Sequence, residues 1–266
     1  VNFPVTCPNR LYGSGCTFCS DLGTGFESMH SSVPVREQLE KTQSYIRKRY
    51  KATKFIAYFQ SFSNTYGPVE KLEKLYREAM EADDIVGLAI GTRPDCLNAD
   101  VTELLGRLNR QKPVYVELGL QTVHKQSVDY IRRGYDNDVY FSAVKALKSV
   151  GIHVVTHIII GLPGENAQMA VETARQAVKA GTDGVKFHLL HVLRGTDLEE
   201  DYLAGKFRCL ELEEYGEILK QCLAVLPEEV VVHRITGDGA KKDLVAPFWS
   251  ADKKRVLNYL NGILEH

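Results

Sequence analysis

The 266-residue sequence predicts an α/β fold built on a parallel sheet, either a barrel or a doubly wound sheet. Three observations predict it. Short runs rich in β-branched and aromatic residues alternate with segments of helical period. Most of these runs are continuously apolar, the pattern of parallel strands covered on both faces. Polar signatures follow the runs one after another, which places ligand-binding residues at one end of the sheet, where barrel enzymes carry their chemistry.

Taken in order, strands are expected at 54–59, 85–90, 114–118, 154–160, 184–190 and 230–235. Gln60-Ser61 follows the first, Thr92-Arg93-Pro94-Asp95 the second and Gly119-Leu120-Gln121 the third. Gly161-Leu162-Pro163-Gly164-Glu165 follows the fourth. One helix is expected over 139–150, capped by Asp136 or Asn137 and stopped by Gly151. Another is expected over 167–180, with Asn166 as cap and Gly181 as stop. No low-complexity segment or Pro/Gly/Ser linker divides the chain. A single domain over 1–263 is therefore expected, with a C-terminal extension from about residue 195. Residues 264–266 read as the start of a vector-encoded histidine tag. Because Val1 stands where Met would and the cysteine motif follows at once, a further N-terminal segment is expected to precede it.

Composition excludes little. Apolar residues make up 44% and charged residues 25%, close to the globular average. A net charge of −1 provides no general attraction to polyanions, so a nucleic-acid partner would have to meet a local basic patch. Arg47-Lys48-Arg49 with Lys51 and Lys54, and Lys241-Lys242 with Lys253-Lys254-Arg255, are the candidate patches. Such runs are more often solvated helix faces. Trp249 and Phe248 are candidates for stacking on a base, although core burial is the commoner fate of such rings. No apolar run approaches the length that spans a bilayer, and no signal peptide is present, so a cytoplasmic protein without membrane contact is expected.

The chemistry starts at the cysteines. Cys7, Cys16 and Cys19 fall within thirteen residues, eight separating the first two and two the last pair. Thiolates are the usual ligands of iron–sulfur clusters, and three of them leave one iron of a [4Fe–4S] cluster open to an external molecule. Gly13 and Gly15 let the loop curl around an inorganic core. A zinc site from the same thiolates and His30 remains open at this point. Cys96, Cys209 and Cys222 read as packed residues, with Cys96, just after a strand, having the better claim to function.

These residues resemble the radical S-adenosylmethionine (SAM) superfamily, and in particular its YhcC/YtqA-like family, related to the catalytic subunit of Elongator. The resemblance covers nearly the whole chain. Its marks are the cysteine motif at 7–19, Phe-Gln-Ser-Phe-Ser-Asn-Thr-Tyr at 59–66 and Gly-Thr-Arg-Pro-Asp-Cys at 91–96. They continue with Val-Glu-Leu-Gly-Leu-Gln at 116–121, Arg-Arg-Gly-Tyr-Asp at 132–136, Ile-Ile-Gly-Leu-Pro-Gly-Glu at 159–165 and His-Arg-Ile-Thr-Gly-Asp-Gly at 233–239.

The resemblance implies a partial (β/α)6 TIM-like barrel with the cluster loop after its first strand. It implies two cofactors, a [4Fe–4S] cluster on Cys7, Cys16 and Cys19 and SAM on the open iron. Gln60 and Ser61 would approach the methionyl amine, Glu117 and Gln121 the ribose or methionine. Ile160, Gly161, Pro163 and Gly164 would lie against adenine, with Phe18 beside it. Arg93 belongs to the same binding set, and Arg132 or Arg133 would pair with the SAM carboxylate. An electron from a donor such as flavodoxin or ferredoxin would break a sulfur–carbon bond of SAM and yield a 5′-deoxyadenosyl radical. The substrate implied is a tRNA wobble uridine, modified at its 5-substituent, with His233, Arg234, Thr236 and Asp238 as contacts. The alternatives are a small metabolite or porphyrin-like acid as substrate, or a non-catalytic zinc- or cluster-binding module.

Two features depart from the superfamily's commonest pattern: the eight-residue gap after Cys7, and Gln-Ser-Phe-Ser in place of a glycine-rich amine-binding motif. The chain also has no room for an acetyltransferase domain after the barrel, so acetyl transfer is not expected.

Overall fold

The computed structural model describes residues 1–20, 29–237, 239 and 241–264. Its strands are β1 (Phe55–Phe59), β2 (Ile85–Thr92), β3 (Val114–Gln121), β4 (His153–Ile160), β5 (Gly184–Leu189), β6 (Val192–Leu193), β7 (Val231–Arg234) and β8 (Leu244–Ala246). Six form a sheet in the order β1-β2-β3-β4-β5-β7, while β6 and β8 make an antiparallel pair. The helices are α1 (Pro8–Leu11), α2 (Val35–Tyr50), α3 (Val69–Met80), α4 (Ala99–Asn109), α5 (Lys125–Tyr130), α6 (Asn137–Ser149), α7 (Ala167–Lys179), α8 (Asp197–Leu203), α9 (Leu212–Leu223) and α10 (Lys253–Leu264). Each strand of the larger sheet is followed in the chain by a helix, directly or after one short strand, the topology of the expected partial (β/α)6 barrel, but the cysteine segment precedes β1 instead of following the first strand.

All six expected strands are present, but β2 and β3 run two and three residues further than the apolar runs suggested. The extensions carry Gly91, Thr92, Gly119, Leu120 and Gln121, which apart from the fully buried Leu120 are small or polar. The β6/β8 pair has no counterpart in the sequence reading, because two- and three-residue strands leave no periodicity. The caps of α7 are as read. Asn166 Oδ1 accepts from Met169 N at 3.0 Å, and Gly181 takes φ +92° past the helix end.

The chain folds as two compact units. The first comprises the described residues of Val1–Gly13, Leu22–Gly119 and Asp138–Val155. Here β1 pairs parallel with β2, and β2 with β3, opposing Phe59 to Ile90 and Gly91 to Glu117. Side chains alternate between faces along a strand. One face carries Phe59, Leu88, Ile90, Val116 and Leu118, all fully buried. The Phe59 ring meets Tyr76 of α3 edge-on at 5.3 Å, so this is the helix-covered face. The other face carries Tyr58, Ala89, Gly91, Tyr115 and Glu117, which are small or polar. Gln38 of α2, buried, fastens the start of the chain: its side chain accepts from Asn2 N at 2.8 Å and donates to Asn2 O and Val33 O.

The second unit comprises the described residues of Ser14–Asp21, Leu120–Asn137 and Thr156–His266. Its β5 pairs parallel with β7. An apolar cluster of Ile131, Ile159, Leu162, Leu190, Val192, Leu198 and Ala246 joins the ends of β4 and β5 to α8 and β8. Short of that cluster, β4 presents His157, and β5 presents Lys186 and His188 two residues apart on one face.

Candidate functional site

In the first unit, Cys7 stands just before α1, and its carbonyl accepts from Arg10 N at 2.9 Å and Leu11 N at 3.1 Å. Gly13 lies so close to this turn that a Cβ would meet Asn9 O at 3.0 Å, which explains the glycine. The segment after β1 is clamped onto the segment after β2. Asn64 Nδ2 donates to Gly91 O at 2.7 Å, and Thr65 Oγ1 lies 2.6 Å from Thr92 Oγ1 and donates to Cys96 O. Tyr76 OH donates to Asn64 O. Within this rigid segment, Ser61 Oγ and Asn64 Oδ1 are buried without a hydrogen-bond partner among the described residues. Buried polar atoms seldom stay unsatisfied in a native protein, so the two fit the polar groups of a bound molecule.

Arg93 forks onto its neighbour Asp95, Nε to Oδ1 at 2.9 Å and Nη2 to Oδ2 at 2.7 Å. Glu117, buried on β3, accepts from Tyr58 OH at 2.7 Å, which holds its carboxylate on the polar face of the sheet. Gln60 is half-buried at the end of β1. Burial pushes the Cys96 thiol up to about 12, with Asp95 adding to the effect, so this cysteine stays protonated and packed.

In the second unit, Cys16 and Cys19 form a tight turn closed by Cys19 N donating to Cys16 O at 3.1 Å, with Gly15 at φ +73° leading into it. The turn is tied down by both backbone groups of Thr17. Its N–H donates to Ile131 O at 3.1 Å, and its carbonyl accepts from Leu198 N at 3.0 Å. Phe18 packs on the apolar cluster that contains Leu162 of the glycine–proline turn, which brings those two expected adenine-side segments together. Ile160 ends β4 fully buried, and its carbonyl accepts from Leu190 N. Gly161 and Gly164 both adopt positive φ, +94° and +81°, and a Cβ on Gly161 would also meet the Leu210 side chain at 3.1 Å. Gln121 is held at φ +64°, an uncommon backbone state for a residue with a side chain and one that gathers at functional sites.

Arg133 is placed differently from an arginine that faces a ligand. It is 1% exposed, and its guanidinium donates to Leu120 O, Thr122 O, Tyr135 O and Asn137 Oδ1 at 2.6–3.1 Å. Arg132, at φ +51°, pairs with Asp197. Thr122 Oγ1 donates to Glu165 at 2.6 Å, and burial holds the Glu165 carboxyl above its ordinary range. Of the residues expected after the last strand, the His233 ring lies against Gly184 at the start of β5, where a Cβ would meet it at 2.6 Å. Arg234 pairs in register with Lys186, and Thr236 is buried beside Gly237. Asp238 lies outside the described residues. Trp249 is half-buried and donates to Leu210 O at 2.9 Å, whereas Phe248 is exposed.

Tyr58, His157, His188 and His191 were not singled out from the sequence. For Tyr58, His157 and His188 the signal was there in the alternation, each polar ring sitting between fully buried strand neighbours, whereas His191 lies between β5 and β6, where no alternation marks it.

The donor set fits an iron–sulfur cluster. Cys7, Cys16 and Cys19 are all free thiols and all half-buried, and thiolates are the usual ligands of such clusters. Among the described residues no three His, Cys, Asp or Glu side chains gather as around a single metal ion, a condition that the larger core of a cluster need not meet.

The family model of the radical SAM superfamily matches residues 1–177, and that of the Radical_SAM C-terminal domain matches 182–266. YtqA of Bacillus subtilis is 40% identical over 263 residues, covering 98% of this chain and 82% of that protein. A tRNA uridine(34) acetyltransferase of Methanocaldococcus jannaschii is 29% identical over 157 residues, 58% of this chain and 28% of the enzyme. Among solved structures, Elp3 of the archaeon Methanocaldococcus infernus, with residues 1–46 deleted, superposes with a TM-score of 0.69 at 21% identity. That match covers 86% of this chain and 58% of Elp3, and it speaks for the fold alone.

Proposed function

The chain belongs to the radical SAM superfamily, and from that premise we propose that it modifies the 5-substituent of a tRNA wobble uridine. The observation that carries the cofactor half of this reading is the Cys16–Cys19 turn, two free thiols presented by a backbone that Thr17 fastens on both sides. With Cys7 they would hold a [4Fe–4S] cluster. Bound there, cluster and SAM together supply reductive sulfur–carbon cleavage and a carbon radical able to take a hydrogen atom.

The chain's own residues do the positioning. Ser61 Oγ and Asn64 Oδ1 would meet polar groups of SAM, and Tyr58 keeps Glu117 turned toward the same face. Gln121 and the 160–164 turn would line the nucleoside end, with Phe18 packed behind. Of the two arginines, Arg132 is the one whose partner is a surface carboxylate that a ligand carboxylate could replace. The tRNA half of the reading is supported by the 157-residue likeness to a tRNA uridine(34) acetyltransferase. A flavodoxin or ferredoxin would deliver the electron.

Two measurements test the proposal. Anaerobic reconstitution is expected to give a [4Fe–4S] spectrum and, with reductant, release of 5′-deoxyadenosine; tight zinc with neither would remove the reading. Mass spectrometry of tRNA nucleosides from a strain lacking the protein is expected to show an accumulated wobble-uridine intermediate. An unchanged profile would remove tRNA as the substrate.

A further inference from the structure

In the second unit, β3 ends on a turn that a residue with a side chain does not adopt readily. Thr122 N donates to Leu120 O at 2.8 Å and closes a ring around Gln121, whose φ is +64°. A hydrogen bond spanning one residue at positive φ marks the rare, strained form of the γ-turn. Leu120 and Thr122 are fully buried on either side of it, while Gln121 is half-buried. Strain of this kind persists only where the surroundings over-determine it, and it gathers at sites that handle ligands.

Two charged side chains hold the turn in place. Arg133 Nη1 donates to both of its end carbonyls, Leu120 O at 2.6 Å and Thr122 O at 2.8 Å. Glu165 holds it through the Thr122 hydroxyl. Thr122 Oγ1 accepts from His124 N at 3.1 Å and donates to Glu165 Oε1 at 2.6 Å. Ser127 of α5 makes a second side-chain hydrogen bond to the same carboxyl. The Glu165 backbone meanwhile closes the glycine–proline turn after β4, its N–H donating to Leu162 O at 3.0 Å. One residue therefore fastens the turn after β3 to the turn after β4. Accepting from two hydroxyls needs no charge on that residue.

We propose that Glu165 and Thr122 are positioning residues: they hold Gln121 in its strained state and so keep its side chain at the nucleoside end of SAM. The inference rests on the reading above, in which Gln121 and the 160–164 turn line that end. Without the Thr122–Glu165 bond the γ-turn loses its tie to the turn after β4, and the backbone at Gln121 is released toward the negative φ that a side chain prefers. Gln121 then no longer stays where the ligand needs it. The strain is present with or without ligand, so it shows in folding stability as well as in binding.

The test is calorimetric titration of SAM into the anaerobically reconstituted full chain, without reductant. Thr122→Val is expected to weaken binding about tenfold, the cost of one buried hydrogen bond lost. Thr122→Ser and Glu165→Gln keep the donor and the acceptor, and both are expected to retain the affinity. Gln121→Gly is expected to weaken binding too, yet to raise the melting temperature of the metal-free chain, since glycine takes positive φ without strain. Because Thr122 acts through Gln121, Thr122→Val is expected to cost nothing further in the Gln121→Gly background. A residue that merely supports the fold would add its loss in full. Undiminished binding by Thr122→Val, a loss that Thr122→Ser does not restore, full additivity in the double variant or a lowered melting temperature in Gln121→Gly would each overturn the inference. The two claims fail differently. SAM bound equally well by the unsubstituted chain and Thr122→Val sinks this inference alone, whereas no SAM binding by the unsubstituted chain sinks the cofactor reading and this inference with it.

Discussion

Arg133 shows how a single residue can read one way in sequence and act another way in the fold. An arginine in a loop after a strand suggests an anion partner, yet this one is buried and spends its donors on carbonyls at 120, 122 and 135. Without it those acceptors would be left dry. Arg133→Lys keeps the charge but cannot reproduce the planar fork, and it is expected to cost about 3 kcal/mol in denaturant unfolding. Burial of this kind has no signature in the motif, because the arginine's neighbours come from residues up to thirteen positions away. Glu117 was legible as a polar residue inside an apolar strand; its partner Tyr58, fifty-nine residues away, was not. Tyr58→Phe removes only the hydroxyl, and about 1–2 kcal/mol of stability is expected to go with it, read as a lowered melting temperature.

At the scale of elements, what was legible followed from period and punctuation. Continuous apolar runs located six strands, and Asn166 with Gly181 located α7, because caps and strands act locally. Strand ends were less legible, since the pairing at Gly91 depends on the neighbouring strand and not on a side chain. The 161–164 turn combines a positive φ with a close neighbour at Gly161, so Gly161→Ala is expected to destabilise by roughly 1–3 kcal/mol in chemical denaturation. The start of α9 gives a pH prediction. Arg208 forks onto Glu214 at 2.6 Å through both nitrogens, and Glu214 also accepts from Glu211 N. The Arg208 guanidinium, then that backbone bond, holds the Glu214 carboxyl down at about 2, against an ordinary 4.5. Because the folded value is the lower one, the gain is present above 4.5 and is lost as pH falls toward 2. Solvent exposure keeps it to about 1 kcal/mol or less. NMR titration of Arg208→Ala is expected to return Glu214 toward its ordinary value and flatten stability over that window.

For the molecule as a whole, the fold class and cofactor chemistry were legible because the cysteines and the strand–helix rhythm are both written in contiguous sequence. The substrate was not, because no contiguous motif of the chain specifies it. Among the described residues no helix is long and apolar enough to cross a membrane. Cys16→Ala is expected to abolish cluster loading while leaving the far-ultraviolet circular dichroism of the metal-free chain unchanged and its unfolding free energy within about 0.5 kcal/mol, since the turn's anchors are backbone groups.

Those anchors bear on cluster loading. Thr17 fixes the second and third cysteines through backbone hydrogen bonds, donating to Ile131 O and accepting from Leu198 N. The presentation of these two thiols is thus written into the backbone of three separated segments, so a change at residue 131 or 198 that shifts its peptide group is expected to lower cluster loading, read as iron bound per chain, with every cysteine still in place.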